Sequence, residues 1–217
     1  MKKLLCILLA AVLTVSLWAC NNQADTGDDT PTAPPIEDPD FSLGETTDTA
    51  YYNTVFGLIC TLSEDWSFIT LQELWEWNGI VGDLTYEEMH KTLKKAELVN
   101  LTKATRKDGL AGISVSMEKR GLTEIDSLNL KEYIESSIPV VEDRFEAGGY
   151  TDTLIESTTL RVSGVEYDVM MITSRYSNVP IYEARLCYKT GRYVVVVSVW
   201  SMLSNEIPQL LEHIVII

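Results

Sequence analysis

The chain has 217 residues, and its 32 acidic and 17 basic side chains give a formal net charge of -15. This balance argues against nucleic acid as a partner, because the phosphate backbone is bound by surfaces rich in Lys and Arg. His90 and His213 are the two histidines of the chain, and neither has a second His or Cys at metal-ligand spacing. The composition therefore also argues against a zinc site and a His-based catalytic triad.

The first twenty residues have the layout of an export signal. Met1-Lys2-Lys3 is positively charged, the run from Leu4 to Trp18 carries no charge, and a small residue precedes Cys20. The apolar run is shorter than the roughly 20 residues of a membrane-spanning helix. A signal peptide is therefore predicted over residues 1–19.

The end of this signal, Leu17-Trp18-Ala19-Cys20, resembles the lipobox of bacterial lipoprotein precursors. In that family the cysteine sulfur receives a diacylglyceryl group before cleavage. Trp18 departs from the small or polar residue that is usual at its position. The resemblance implies that Cys20 carries acyl chains such as palmitate and anchors the protein at the outer face of the cell membrane. The alternative is a plain secretory signal in which Cys20 is incidental.

Residues 20–50 are predicted to be the lipidated cysteine followed by a disordered acidic linker. Four prolines and eight acidic side chains lie in this stretch, with no Lys or Arg. Such a segment buries too little apolar surface to offset the entropy cost of ordering. Thirty residues at about 3.3 Å each reach at most about 100 Å. The linker would therefore let the folded domain work well away from the membrane.

Residues 51–217 are predicted to form one globular domain of the α+β class, because this length suits a single core. Helices are predicted at 71–77, from the capping box Thr85-x-x-Glu88 to about Leu98, from Asn129 to Gly148-Gly149, and at 205–212. Strands are predicted at about 55–62, 99–106, 112–119, 153–162, 165–174, 180–189 and 192–200.

The run from Val194 to Trp200 is apolar on both faces of a strand. Such a strand belongs at the centre of a sheet that is covered on both sides. The predicted fold is therefore an antiparallel sheet of about six to seven strands with helices on both faces, an α/β/α sandwich.

This order of elements resembles the PsbP-like domain, which is named after an extrinsic subunit of photosystem II and also occurs in small bacterial lipoproteins. The residues that carry the likeness are Tyr52-Asn53-x-x-Phe56-Gly57, Asp65-Trp66, Lys131-Glu132-Tyr133 and Ser163-Gly164 before Glu166-Tyr167, followed by the valine strand and a C-terminal helix. They span most of residues 51–217. The resemblance implies the same sandwich but carries over no functional residue, since members differ in role and a fold does not determine function.

The sequence contains no P-loop, dinucleotide fingerprint, nucleophile elbow or HExxH motif, so no catalytic residue, metal or cofactor is predicted. Adjacent carboxylates such as Glu64-Asp65 and Glu142-Asp143 diverge from each other. Cys60 and Cys187 could form a disulfide in an exported chain. Their strand parities differ, however, so two packed free thiols are favoured over a bridge.

Basic side chains concentrate between residues 91 and 120, where three acids accompany eight basic residues. The eight are Lys91, Lys94, Lys95, Lys103, Arg106, Lys107, Lys119 and Arg120. We expect this cluster to form a basic patch for an anionic partner, such as lipid headgroups or a wall polymer. The alternative is a solvated face that acids from elsewhere in the domain balance.

Together these features predict a non-enzymatic, membrane-anchored module that binds an envelope protein, a wall polymer or a small ligand, and not nucleic acid. The alternatives are an assembly subunit of an envelope complex and a hydrolase that uses carboxylates. A closed surface would favour the first two classes. A deep cleft with converging carboxylates would favour the hydrolase.

Overall fold

A computed structural model describes residues 41–82 and 84–217 of the chain. The predicted signal peptide, the lipid attachment at Cys20 and the predicted linker up to residue 40 lie outside the described residues. Within the part of the chain that is described, no helix is both long enough and apolar enough to cross a membrane.

The described residues form eleven strands and five helices. The strands are β1 (Glu45–Thr46), β2 (Ala50–Asn53), β3 (Leu58–Thr61), β4 (Trp66–Phe68), β5 (Leu98–Arg106), β6 (Ala111–Lys119), β7 (Tyr150–Val162), β8 (Val165–Tyr176), β9 (Val179–Thr190), β10 (Tyr193–Met202) and β11 (Ile214–Ile216). The helices are α1 (Leu71–Trp77), α2 (Tyr86–Leu93), α3 (Leu122–Ser127), α4 (Leu130–Ala147) and α5 (Ile207–Leu211).

The strands are arranged in two sheets with antiparallel neighbours. The larger sheet has seven strands in the order β4-β5-β6-β10-β9-β8-β7, and the smaller has four in the order β1-β2-β3-β11. The prediction of a mixed α+β domain built on an antiparallel sheet is confirmed. The second sheet was not predicted.

Three tight turns connect the long strands β7 to β10. Ser163-Gly164 and Ser177-Asn178 have positive φ at both residues, with values between 50° and 85°. Gly191 has a φ of 54° at the first position of the third turn. These values match two-residue hairpin turns, whose twist agrees with that of the flanking strands. The four strands predicted here from sequence are confirmed to within a few residues.

The seven-stranded sheet is buried on both faces by different elements. Apolar side chains of α3 and α4 pack with Val194 and Val196 on one face. Side chains of the four-stranded sheet, of α5 and of the end of α2 pack with Val195, Val197 and Val199 on the other. The valine strand β10 is therefore buried on both sides, as its sequence predicted.

The folded region begins earlier than predicted. Phe41 and Leu43 are buried in the core, β1 follows them, and β2 starts at Ala50. The linker boundary placed at residue 50 is therefore wrong, because two apolar side chains in an otherwise polar stretch are enough to join it to the small sheet. The folded region includes at least residues 41–50.

Two element boundaries also differ from the sequence prediction. The first predicted strand, 55–62, is shorter, because Phe56 and Gly57 form a turn between β2 and β3, with Gly57 at a φ of 63°. The helix predicted to reach Leu98 ends at Leu93, and β5 begins at Leu98. Its N-terminus is as predicted: the N–H of Glu88 donates to the Thr85 hydroxyl, and the N–H of Thr85 donates to the Glu88 carboxylate at 2.8 Å.

Candidate functional site

A groove of about 840 Å³ separates the start of the described chain from one edge of the seven-stranded sheet. One wall comes from residues between 43 and 49, and the other from residues between 64 and 74. Leu101 and Thr102 of β5, Tyr86 of α2 and Lys107 also line the space. We call this space the β1–β4 groove, after the strand in each wall. Its volume lies in the range of about 300–1,000 Å³ that is usual for ligand sites.

Buried hydrogen bonds hold the first wall in place. The Tyr51 hydroxyl donates to the carbonyl of Leu43, and the side-chain amide of Asn53 donates to the carbonyl of Ser42, both at 2.9 Å. Tyr51 and Asn53 are fully buried, and burial raises the pKa of Tyr51 above its usual range. Because a buried polar group without a partner is costly, these bonds fix Ser42 and Leu43 against β2.

A capping box shapes the second wall. The N–H of Glu73 donates to the Thr70 hydroxyl at 3.2 Å, and the N–H of Thr70 donates to the Glu73 carboxylate at 2.7 Å. This arrangement satisfies two backbone donors where α1 begins, directly after β4. The chain therefore leaves the sheet at this point, and β4 stays three residues long.

The residue after the C-terminal end of α1 covers part of the edge of β5. The side-chain amide of Asn78 donates to the carbonyl of Asn100 at 2.9 Å and accepts from its N–H at 2.8 Å. One side chain thus supplies the two hydrogen bonds that a strand next to β5 would make. This closes the edge of β5 beyond the end of β4.

The outer edge of β4 faces the groove. The N–H of Ile69 donates to the carbonyl of Lys103 at 2.9 Å, and the N–H of Lys107 donates to the carbonyl of Asp65 at 2.7 Å. The direction of hydrogen bonding alternates along an antiparallel strand. The N–H and C=O of Phe68, which lines the groove, therefore point away from β5.

The outer edge of β1 faces the same groove by the same alternation. The N–H of Thr47 donates to the carbonyl of Ala50 at 2.7 Å, which places Thr47 in a pair bonded to β2. The N–H and C=O of Thr46 consequently point away from β2, and Thr46 lines the groove. Each wall thus carries a strand edge that no described strand covers.

The groove combines hydroxyl, apolar and acidic side chains. Leu71 and Tyr86 line it with 44% and 50% of their surface exposed. Asp48 lies on the first wall and Glu64 on the second, and both are exposed. The ammonium of Lys107 donates to the backbone carbonyl of Glu64 at 2.5 Å. The groove can therefore hold a ligand with a polar backbone, apolar side groups and positive charge.

The structure divides the predicted basic cluster. The eight residues lie on α2 (Lys91), at its C-cap and in the next turn (Lys94, Lys95), on β5 (Lys103, Arg106), in the hairpin turn (Lys107), and at the end of β6 or just after it (Lys119, Arg120). The strands of this hairpin have nine residues each. Arg106 and Lys119 therefore lie at opposite ends of the hairpin, about 27 Å apart at about 3.4 Å per residue.

Several members of the cluster already have protein partners. Arg106 donates to Asp108 at 3.0 Å and to Glu206 at 2.5 Å, and these bonds raise the pKa of Arg106 above its usual range. Arg120 contacts Glu118 at 2.7 Å. Glu206 is an acid from elsewhere in the chain, as the alternative interpretation of the cluster requires. Binding of an anionic partner stays a prediction.

The two cysteines of the domain are free and buried on opposite sides of the structure. Cys60 on β3 packs in the core beneath the small sheet, and Cys187 on β9 packs in the core beneath α4. Burial raises the pKa of each thiol to about 12. The favoured prediction of two packed free thiols is confirmed.

Both histidines have structural contacts. Nε2 of His90 donates to the carbonyl of Phe41 at 3.1 Å, and Nδ1 of His213 donates to the carbonyl of Thr61 at 2.8 Å. His90 thereby ties α2 to the first residues of the described chain. Among residues 41–82 and 84–217, no three His, Cys, Asp or Glu side chains are grouped as a metal site requires.

A polar cluster lies inside the core rather than in the groove. Glu183 and Arg185 on β9 form an ion pair at 2.6 Å, with 2% and 10% of their side chains exposed. The second carboxylate oxygen of Glu183 and the hydroxyls of Tyr150 and Ser174 are buried without a partner among the described residues. Glu183 and Arg185 share the strand face of Cys187, which packs against α4. This cluster is therefore closed from solvent.

Sequence reasoning missed the first wall of the groove. Thr46, Thr47, Asp48 and Thr49 were assigned to the linker because the stretch is acidic and polar. The apolar pair Phe41 and Leu43 and the β-branched residues before Tyr51-Tyr52 are the signals that could have placed it in the domain. No strand prediction could have brought it next to β4.

The chain matches no protein-family model and no curated protein. Among the residues that carry the resemblance to the PsbP-like domain, Tyr52-Asn53 lies at the end of β2 and Phe56-Gly57 in the next turn. Ser163-Gly164 forms the turn before β8. The resemblance stays a prediction.

Proposed function

We propose that this protein is an extracytoplasmic bacterial lipoprotein, anchored through Cys20, whose domain is a non-enzymatic binding module. The anchor is supported by the charged start, the uncharged run and the lipobox-like end of the signal. A PsbP-like sandwich is the proposed fold, supported by α3 and α4 on one face of the large sheet and α5 within the other.

The β1–β4 groove is the proposed binding site. The observation that carries the proposal is an open groove with a strand edge in each wall and with the exposed side chains of Leu71 and Tyr86 along it. Exposed strand edges invite pairing with another chain and are commonly blunted or covered. Two uncovered strand edges that face the same groove therefore favour the groove as a site for recognition.

The groove also bears on the hydrolase alternative, because Asp48 and Glu64 lie on its opposite walls. A carboxylic acid that serves as general acid near neutral pH is normally sheltered from water. Asp48 and Glu64 are both exposed. Their placement therefore supports binding of a positively charged ligand better than acid–base catalysis.

Site-specific photo-crosslinking in cells tests the proposed site. A photoreactive residue at Ser67, on β4 in the groove, should capture a defined envelope partner. The matched control is Leu154, an exposed residue of β7 at the other edge of the same sheet. Equal capture from both positions, or from neither, would contradict binding in the groove.

The same experiment separates the alternatives. One stoichiometric protein captured from Ser67 would favour an assembly subunit. A partner that is cut in the presence of the native protein and stays intact with Asp48→Asn or Glu64→Gln would establish the hydrolase.

A further inference from the structure

We propose that the β1–β4 groove binds an extended polypeptide segment, which adds as a strand to the outer edge of β4. This inference rests on the proposed function of the groove and names the chemical class of its ligand. The segment carries Lys or Arg near apolar residues that alternate along it.

The outward N–H and C=O groups of β4 form a pattern of hydrogen-bond donors and acceptors that an extended peptide can complement. The N–H of Trp66 donates to the carbonyl of Ser63 at 3.1 Å, which leaves the C=O of Trp66 and both groups of Phe68 directed outward. Outward groups recur every second residue, or about every 6.8 Å along a strand. An extended peptide presents donors and acceptors at the same interval, whereas acyl chains have none.

The start of β7, at the other edge of the large sheet, has features that oppose strand addition. The pairing of β7 with β8 is interrupted by a register shift between Thr151 and Leu154, and Asp152 has a φ of 53°. A bulge of this kind twists an edge away from a straight incoming strand. The edge of β5 beyond β4 is closed by Asn78, as described above. β4 has a regular register and opens into a groove.

The side chains around β4 define the charge of the peptide. Asp48 and Glu64 line the groove, and Glu45 and Asp65 are exposed beside them. The ammonium of Lys107 is directed to a backbone carbonyl of the second wall. Opposite charges across an interface speed association and select partners. A segment with Lys or Arg at its ends therefore fits, and its binding should weaken as salt is raised.

The apolar side chains that line the groove explain why every second residue of the bound peptide should be apolar. Successive side chains of a strand point to opposite sides, so every second residue of the bound segment faces the same wall. Leu71 and Tyr86 line the groove with large exposed surfaces. They can receive the apolar residues of the segment, and main-chain bonds to Phe68 supply its register.

The test selects peptides on the full chain in detergent micelles from a phage-displayed library of random dodecapeptides. The enriched peptide is then labelled, and its affinity is measured by fluorescence anisotropy. Phe68→Ala removes the ring that lines the groove, and Phe68→Pro removes in addition one outward N–H and none of the bonds to β5. The proline variant should therefore bind about tenfold more weakly than the alanine variant, the effect of about one hydrogen bond. Raising the salt concentration should weaken binding to the native chain.

A matched proline variant controls for general damage to a sheet edge. The two-residue turn Ser163-Gly164 makes Val162 and Val165 a bonded pair, so the N–H of Thr159 on β7 points away from β8 by alternation. Thr159→Pro should leave peptide affinity unchanged within about twofold, because β7 is the opposite edge of the sheet.

N-methylation of the peptide tests strand pairing without altering the protein. Methyl groups at every second backbone nitrogen should abolish binding, and those at the intervening nitrogens should leave it unchanged. Equal effects at all nitrogens, or no enriched peptide, would overturn strand addition. If Ser67 still captured an envelope partner in cells, the groove would remain the binding site with a ligand of another class.

Discussion

Gly112, the second residue of β6, leaves room for the indole of Trp200 on the neighbouring strand β10. Trp200 of β10 is paired directly with Gly112, and its indole lies over the glycine. A Cβ at residue 112 would overlap the indole atoms Cε2 and Nε1 and would come within 2.6 Å of Cζ2. Gly112→Ala must therefore displace the ring or the strand, and overpacking of this kind costs about 1–3 kcal/mol of unfolding free energy.

Urea unfolding of residues 21–217, followed by far-UV circular dichroism, would measure this cost. The matched background is Trp200→Leu, which leaves space above residue 112. In the Trp200→Leu background, Gly112→Ala should be neutral or should stabilise the protein by about 0.4–1 kcal/mol, because alanine restricts the unfolded chain more than glycine does. The double-mutant cycle should then give a coupling of about 1–3 kcal/mol. The same loss in both backgrounds would refute contact with the ring as the cause.

Three further outcomes are expected. Cys60 and Cys187 should not react with a thiol reagent at pH 8 until the protein is unfolded, because burial raises their pKa values to about 12. Labelling of either thiol in the native state, counted by mass spectrometry, would contradict their burial. Arg185→Met should lower the unfolding free energy by about 3–5 kcal/mol, because Glu183 would keep a buried charge without its partner. A second variant that also replaces Glu183 by Leu should recover much of this loss in the same urea titration. Thr85→Ala should cost about 1 kcal/mol, because the first turn of α2 loses its capping hydroxyl, and Thr85→Ser should restore stability.

Local signals predicted the parts of the fold that neighbouring residues determine. The capping box of Thr85 and Glu88, the N-cap Asn129 and the turn Ser163-Gly164 all occur as expected. Each depends on backbone groups within four residues, so the sequence contains all the information that it needs. The continuous apolar, valine-rich run of β10 likewise predicted a strand buried on both faces.

The end of α2 and the second sheet were not predictable in this way. The sequence predicted a helix from the capping box to about Leu98, but the chain turns after Leu93 so that β5 can start. The short strand β1 has two residues, and β11 has three. Strands of this length form only where a partner is already in place, and the partner of β11 is β3, which lies far away in sequence.

The candidate site also depends on contacts between residues that are distant in sequence. Acidic composition suggested a linker up to residue 50, yet Tyr51 and Asn53 bind its last part to the small sheet through buried hydrogen bonds. The basic cluster was read as one surface, but the hairpin separates its members, and Glu206 from the C-terminal part of the chain pairs with Arg106. Charge counted along the sequence does not reveal which acids arrive from elsewhere.

By itself, the sequence determined the helix caps, the hairpin turns, the strand that is apolar on both faces and the opposite parity of Cys60 and Cys187. Tertiary structure alone decided that β1 and β4 stand across a groove with their outer edges exposed. The reason is physical: caps and turns are satisfied by bonds between near neighbours, whereas an open strand edge depends on which other strands reach it. That outcome is set by the packing of the whole chain.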